Sequence, residues 1–206
     1  MTPENQTVLL LDDDSSIRSS LEKLLSANGY KVRSHSEPDG LFAAGPPQGT
    51  ACLLLDHQLG NGVTGVQVHQ RMLERGWDLP TIFLTAHWNV HSVVSAMRAG
   101  ADGFLAKPFD PVELVKAVEG ALQRACDRLR NSQRVAEARA RMATLTPRER
   151  EIVGLVTTGL LNKEIADQLD LALVTVKVHR SRAMQKLSAG NPAELARIAT
   201  LAAMDR

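Results

Sequence analysis

Cysteine is scarce in this chain: Cys52 and Cys126 are the only two among 206 residues. Two thiols cannot staple a loop-rich secreted scaffold, so a hydrophobic core has to hold the fold. Long apolar runs are missing too. The first, Val8 to Leu11, is far too short for a signal-peptide core or a membrane span, and it follows a polar start. These features set an expectation of a cytoplasmic protein with no membrane partner. Aromatics make up 3% of the residues, and all of them (Tyr30, Phe42, Trp77, Phe83, Trp88, Phe104 and Phe109) fall in the first part of the chain. A large net charge is also lacking, since 24 Lys+Arg against 23 Asp+Glu leave +1. With 44% hydrophobic residues, the chain is neither disordered nor collagen-like and can bury the core of one or two domains.

The near-zero charge is an average over two unlike halves. Residues 1–119 hold 9 basic against 14 acidic side chains, and residues 120–206 hold 15 against 9. Such asymmetry joins an acidic module to one suited to a polyanion. Within the basic half, residues 144–206 carry only 9 against 7, so most of the excess lies in 120–143.

Short apolar runs alternate with amphipathic stretches up to residue 120. Thr7–Leu11, Tyr30–Ser34, Ala51–Leu55, Thr81–Leu84 and Asp102–Leu105 read as strands. Helical spacing marks 15–28, a weak segment near 38–44, 64–75 and 89–99, and Pro111 opens a fifth helix at its favoured first position. This alternation predicts an α/β doubly wound, five-stranded parallel sheet. The fifth helix finds no Pro between Val115 and Arg139, so a long helical linker is expected, with a seam that weakens C-terminally and either aids dimerisation or is simply solvated. Thr146-Pro147 starts a small all-α domain with helices near 147–158, 162–169, 173–188 and 192–204.

In a parallel sheet, ligands gather beyond the carboxyl ends of the strands. Here those positions carry Asp12-Asp13-Asp14, Asp56, Thr85 and Lys107. Converging carboxylates repel one another, and a hard divalent cation such as Mg²⁺ is the natural remedy. Thr85 can then donate to a phosphoryl oxygen, Lys107 can neutralise its charge, and one carboxylate can act as nucleophile to form an aspartyl phosphate. Singly, each residue has a bland explanation, such as helix capping for Asp12 to Asp14. Their joint placement at four strand ends does not.

Residues 1–120 resemble the receiver domain of two-component response regulators, a flavodoxin-like fold. The resemblance rests on Leu-Leu-Asp12-Asp13-Asp14, Leu-Leu-Leu-Asp56, Phe-Leu-Thr85-Ala86-His87 and Gly100-Ala-Asp-Gly-Phe104-Leu-Ala-Lys107-Pro108-Phe109. It implies Asp56 as phosphoacceptor, and Mg²⁺ held by Asp12, Asp13, Asp56 and the carbonyl of Gln58. It further implies Thr85, Ala86 and Lys107 around the phosphoryl group, a cis Lys107–Pro108 bond, and a switch made of Thr85 and Phe104. Gln58 and His87 would flank the path of an attacking water. One departure stands out. Where the family has Leu-Pro-Gly-x-x-Gly after the phosphoacceptor, this chain has Leu59-Gly-Asn-Gly-Val-Thr-Gly65, a longer loop without proline. That bears on loop stiffness, and through it on metal affinity and phosphoryl lifetime.

The segment Asn162–Leu169 followed by Val174–Leu187 has helix–turn–helix form, and Lys177, Arg180, Arg182 and Lys186 give its second helix one sign of charge. Together with Leu145-Thr-Pro-Arg-Glu-Arg-Glu151, it resembles the LuxR-type DNA-binding domain of the NarL/FixJ branch of response regulators. That implies Lys177, Val178 and Ser181 on base edges, and Thr175, Arg180, Arg182 and Lys163 on phosphates. Two departures are Asp170 at the usual turn glycine and Ala172 at the usual capping serine, the latter a loss of about 1 kcal/mol.

The expectation is therefore a receiver over 1–120, a helical linker over 121–143 and a helix–turn–helix domain over 144–206. Its function would be that of a transcription factor phosphorylated on Asp56 by a sensor histidine kinase. It would not be an enzyme beyond that self-phosphorylation. Its partners would be double-stranded DNA, RNA polymerase and, after phosphorylation, a second copy docked through the face at 89–119. Two alternatives remain at this point. One is a constitutive DNA-binding regulator whose receiver only dimerises. The other is a haloacid-dehalogenase-like phosphatase using Asp12 as nucleophile, although that reading leaves Asp56 unexplained and lacks an acidic pair at the right spacing beyond Lys107.

Overall fold

The computed structural model describes residues 6–86 and 100–204, and they divide into two compact units, 1–129 and 130–206. The helix expected over 89–99, with His87 beside it, lies outside the described residues.

The first unit is built on five parallel strands: β1 (Gln6–Leu11), β2 (Lys31–His35), β3 (Thr50–Asp56), β4 (Thr81–Thr85) and β5 (Gly103–Ala106). Their order is β2-β1-β3-β4-β5. Each central strand reads as an unbroken apolar run because both its faces are covered. Val8, Leu10, Cys52, Leu54, Ile82 and Leu84 point to one side, where they meet Leu21 and Leu25 of α1 (Ser15–Ala27) and Leu114 and Val118 of α4 (Pro111–Ala143). Leu9, Leu11, Leu53, Leu55 and Phe83 point to the other, against Leu41 of α2 (Pro38–Ala43) and Val68 and Met72 of α3 (Gly65–Glu74). Burial in the first core drives the Cys52 thiol up to about 12, so it stays a protonated packing group.

The amino ends of β4 and β5 are tied by a polar network. Asp102 accepts from the Thr81 amide at 3.2 Å, and the Arg124 and Arg128 guanidinium groups of α4 lie 3.3 and 2.7 Å from its Oδ1. Arg128 also reaches Asp78 at 2.8 Å.

Helix α4 runs unbroken from Pro111 to Ala143, in line with the proline-free stretch. Its buried residues fall into two groups. Ala121, Leu122, Ala125 and Cys126 are buried in the first unit, and Ala138 is buried in the second. Between these groups, residues 127–134 are exposed, within the stretch 121–143 expected as a linker.

The second unit adds α5 (Pro147–Thr157), α6 (Asn162–Leu169), α7 (Leu173–Leu187) and α8 (Pro192–Ala203). Ile152, Ile165, Val176, Leu187, Leu195 and Ile198 meet in its core. Thr146 caps α5 through a reciprocal box with Glu149, and Pro147 takes the first helical position. Asp170 adopts the left-handed conformation (φ 49°, ψ 52°) expected at the turn, and Ala172 leaves α7 without a side-chain cap.

Candidate functional site

Parallel register decides which residues share the carboxyl edge of the sheet. β1 ends at Leu11 and hands the chain to Asp12. Asp56 is the last residue of β3 and is aligned with Leu84, so Thr85 projects one step beyond it on the next strand. Thr85 is aligned with Ala106, and the amide of Lys107 donates to the Thr85 carbonyl at 2.6 Å. The sheet order places β1 beside β3, where successive crossovers run in opposite directions, and the crevice of a doubly wound fold opens there.

Three carboxylates meet in that crevice. Asp12, Asp13 and Asp56 each offer an oxygen within 4.8 Å of the others. Asp12 is fully buried, Asp56 nearly so, and Asp13 faces solvent. Lys107 Nζ lies 2.6 Å from Asp12 Oδ2 and 3.2 Å from Asp56 Oδ2. Burial raises the Asp56 carboxyl above its ordinary range; the Lys107 charge opposes that shift and the Asp12 charge adds to it. The Gln58 amide donates to the Asp56 carboxylate, which places Gln58 at the rim of the site. Ala86 is exposed, and Thr85 is buried at the end of its strand. Phe104 is partly buried against the Phe83 side of the core.

Asp14 leaves this cluster. Its carboxylate accepts from the Ser16 hydroxyl at 2.6 Å, the Ser16 amide at 2.7 Å and the Ile17 amide at 3.3 Å, capping α1, and these bonds, the hydroxyl's first, lower its pKa. Asp12 is further fixed from behind, as its Oδ1 accepts from the Asp14 amide at 2.9 Å and its carbonyl from Arg18 at 2.7 Å. The sequence reading had not singled out Arg18.

The proline-free loop after Asp56 closes by other means. Residues Gly60–Gly62 form a single 3₁₀ turn, the Leu59 amide donates to the Val63 carbonyl at 3.0 Å, and Leu59 is buried. Thr64 and Gln67 form a capping box at the start of α3. Gly65 is required by close approach: a Cβ there would stand 2.3 Å from the Asp56 carbonyl oxygen. The cis Lys107–Pro108 bond is present.

On α7 the buried residues Val176, Ala183 and Leu187 define the inward side. The opposite side presents Val174, Val178, Ser181 and Gln185, all exposed and spaced by four, three and four residues. Lys177 borders this stripe on one flank, and Thr175 and Arg182 border it on the other. Lys163 is exposed at the start of α6. Two residues of the one-signed helix are occupied within the domain. Lys186 Nζ lies 2.7 Å from Oε2 of the buried Glu149, and Arg180 is half-buried and donates to Asn162. Counting Lys186 as part of the helix's free positive charge is therefore corrected: it neutralises a buried carboxylate. Its other guanidinium N–H groups stay available to a phosphate while Nη1 holds Asn162. Val174 and Gln185, which were not singled out from the sequence, share this exposed face, as the helical spacing from Val178 requires.

Two family models account for most of the chain. The response regulator receiver domain matches residues 8–119, and the luxR family of bacterial regulatory proteins matches residues 143–199. The chain belongs to the FixJ/NarL-type response regulators, in which a receiver is joined to a LuxR-type DNA-binding domain. Among its relatives, the transcriptional regulatory protein FixJ of Azorhizobium caulinodans is 35% identical over 97% of this chain and 94% of that protein. The C4-dicarboxylate transport transcriptional regulatory protein DctR of Rhodobacter capsulatus is 38% identical over 93% and 98%. The solved structure of the response regulator StyR, 34% identical, superposes with a TM-score of 0.81 over 95% of this chain and 98% of that one. The protein is a response regulator transcription factor and not an enzyme acting on an external substrate, which sets aside the phosphatase alternative. No described helix is long and apolar enough to cross a membrane.

Proposed function

We propose that Asp56 accepts the phosphoryl group, that Asp12, Asp13 and Asp56 with the Gln58 carbonyl hold Mg²⁺, and that Thr85, Ala86 and Lys107 surround the transferred group. The observation that carries this reading is the gathering of three carboxylates at the carboxyl edge of the sheet, two of them, Asp12 and Asp56, paired with the same lysine. The donor set suits a hard cation, since all the side-chain donors are carboxylate oxygens and one of them stays solvent-facing. When bound, such an ion supplies positive charge to the phosphoryl oxygens.

The step itself is a displacement. An Asp56 oxygen attacks phosphorus of a kinase phosphohistidine, the P–N bond breaks, and the imidazole leaves with a proton from solvent. Lys107 then has a new anion to pair with, and the Thr85 hydroxyl a new acceptor. Phe104, packed beside Phe83, is the ring that would follow Thr85. The proposal keeps a receiver over 1–120, a linker helix over 121–143 and a DNA-binding domain over 144–206, and the family matches at 8–119 and 143–199 support it. Lys163, Thr175, Lys177, Val178, Arg180, Ser181 and Arg182 would form the DNA surface.

Dimerisation through the face at 89–119, contact with RNA polymerase and residence in the cytoplasm complete the proposal. Size-exclusion chromatography with light scattering, followed by duplex binding, tests it with and without beryllofluoride plus Mg²⁺. A dimer with tighter DNA binding only under beryllofluoride supports the reading. Unchanged mass and affinity would instead favour the constitutive regulator.

A further inference from the structure

Val174 is 65% exposed and Val178 43% exposed, in adjacent turns on the outward side of α7. A β-branched residue in an exposed helix position contributes neither packing nor helix propensity, so the fold gives no reason for either. Their surroundings do. The two valines occupy the amino-terminal half of an uncharged stripe that Ser181 and Gln185 continue. Cationic Lys177 stands on one side of it and Arg182 on the other. A neutral strip between two cationic flanks matches the section of a DNA major groove, with base edges in the middle and phosphates on either rim. In that groove the one apolar base-edge feature is the C5-methyl of thymine. The amino-terminal residues of a recognition helix are those that reach base edges.

We infer that Val174 extends the base-edge contact implied above for Val178 into a thymine-methyl reader, so that this chain prefers thymine at two neighbouring positions of each half-site. The inference rests on the DNA-binding reading above and adds the chemistry that α7 selects. Polar Ser181 and Gln185 would take the hydrogen-bonding positions further along the helix.

Replacing thymine by uracil removes the methyl and leaves Watson–Crick pairing intact. Full-length protein with beryllofluoride and Mg²⁺ would be used to select duplexes from a random-core pool. The enriched duplex would then be resynthesised with uracil at one thymine at a time. Wild-type affinity should fall about fourfold at each of two thymines, the factor that burying one methyl corresponds to. Val174→Ala should bind uracil and thymine equally at one of these positions while still discriminating at the other, and Val178→Ala should do the reverse. Both valines are exposed, so neither variant threatens the fold, and circular dichroism confirms that. If wild type binds the selected duplex but ignores every uracil, the methyl reading is overturned and DNA binding stands. If no duplex is enriched, the DNA-binding reading falls and this one falls with it.

Discussion

Lys107 Nζ sits closer to Asp12 than to Asp56, at 2.6 against 3.2 Å. The lysine is thus pinned chiefly by the fully buried carboxylate, and the carboxylate proposed to react keeps the weaker hold on it. Removing the cation should expose this arrangement. Lys107→Met leaves the buried Asp12 carboxylate without a counter-ion, at a cost of about 3 kcal/mol in the absence of divalent ions. Urea unfolding with and without Mg²⁺ checks it: Mg²⁺ should recover much of the loss and stabilise the variant more than wild type. An equal response in both proteins would show that Lys107 does not compensate the carboxylate cluster.

Asp56 carries a stability penalty that its chemistry requires. Burial and the Asp12 charge raise its carboxyl above the unfolded value, so the native state holds the proton more tightly. The stability this gives is present below the unfolded carboxylate range and is lost as pH rises through the folded value. Asp56→Asn should therefore abolish phosphorylation and yet melt a few degrees higher than wild type at neutral pH. That gain should shrink as pH is lowered through the carboxylate range, which thermal scans at several pH values would show.

Gly65 stands against the backbone of the phosphoacceptor. Gly65→Ala forces a Cβ to within 2.3 Å of the Asp56 carbonyl oxygen unless the strand end moves. Overpacking of this kind costs about 1–3 kcal/mol. Phosphorylation by a small phosphodonor should slow as Asp56 shifts, whereas Gly62→Ala should leave it near the wild-type rate. At Gly62 an added Cβ meets nothing and only the φ of 75° is strained.

Two basic residues one turn apart on α7, Lys186 and Arg182, should respond differently to charge removal. Lys186→Ala strips the partner from buried Glu149 and should destabilise the second unit by about 1–2 kcal/mol without altering the salt dependence of DNA binding. The Lys186 bond leads the causes that lower the Glu149 carboxyl, so its contribution is present above the unfolded carboxylate range. The gap between wild type and variant should close as pH falls through the folded value. Arg182→Ala should instead keep the stability and reduce the slope of log affinity against log salt by about 1.

The sequence was most informative where one residue type has one physical explanation. Apolar runs identified β1, β3 and β4 to within a residue, because these strands are covered by helices on either side. By contrast β2 and β5, at the sheet edges, are only partly buried and were matched to within a residue by the strand–helix alternation. The carboxyl-edge acids were legible because strand ends announce themselves as a switch from apolar to charged. Spacing alone did not separate Asp14 from Asp12 and Asp13, and only the resemblance left it out of the metal set; it is the backbone that turns its carboxylate back to cap α1. Lys186 was misread for a related reason. Its partner Glu149 is distant in the chain, and a charge on a helix carries no mark of the acid it will meet. Loop closure without proline was equally hidden, because the 3₁₀ turn depends on the Leu59–Val63 bond and on Leu59 finding the core.

The two polar networks of the first unit lie at opposite ends of the same strands and differ in their shielding. At the amino end, Asp102 is gripped by arginines whose side chains are 44% and 40% exposed, and at the carboxyl end Lys107 is only 13% exposed. Dissolved ions weaken the former far more than the latter. In strong brine the sheet would begin to part at the edge where nothing reacts, and hydrogen exchange should quicken at Thr81 before it quickens at His57. Such a domain degrades from its foundation upward, with its reactive rim the last part to go.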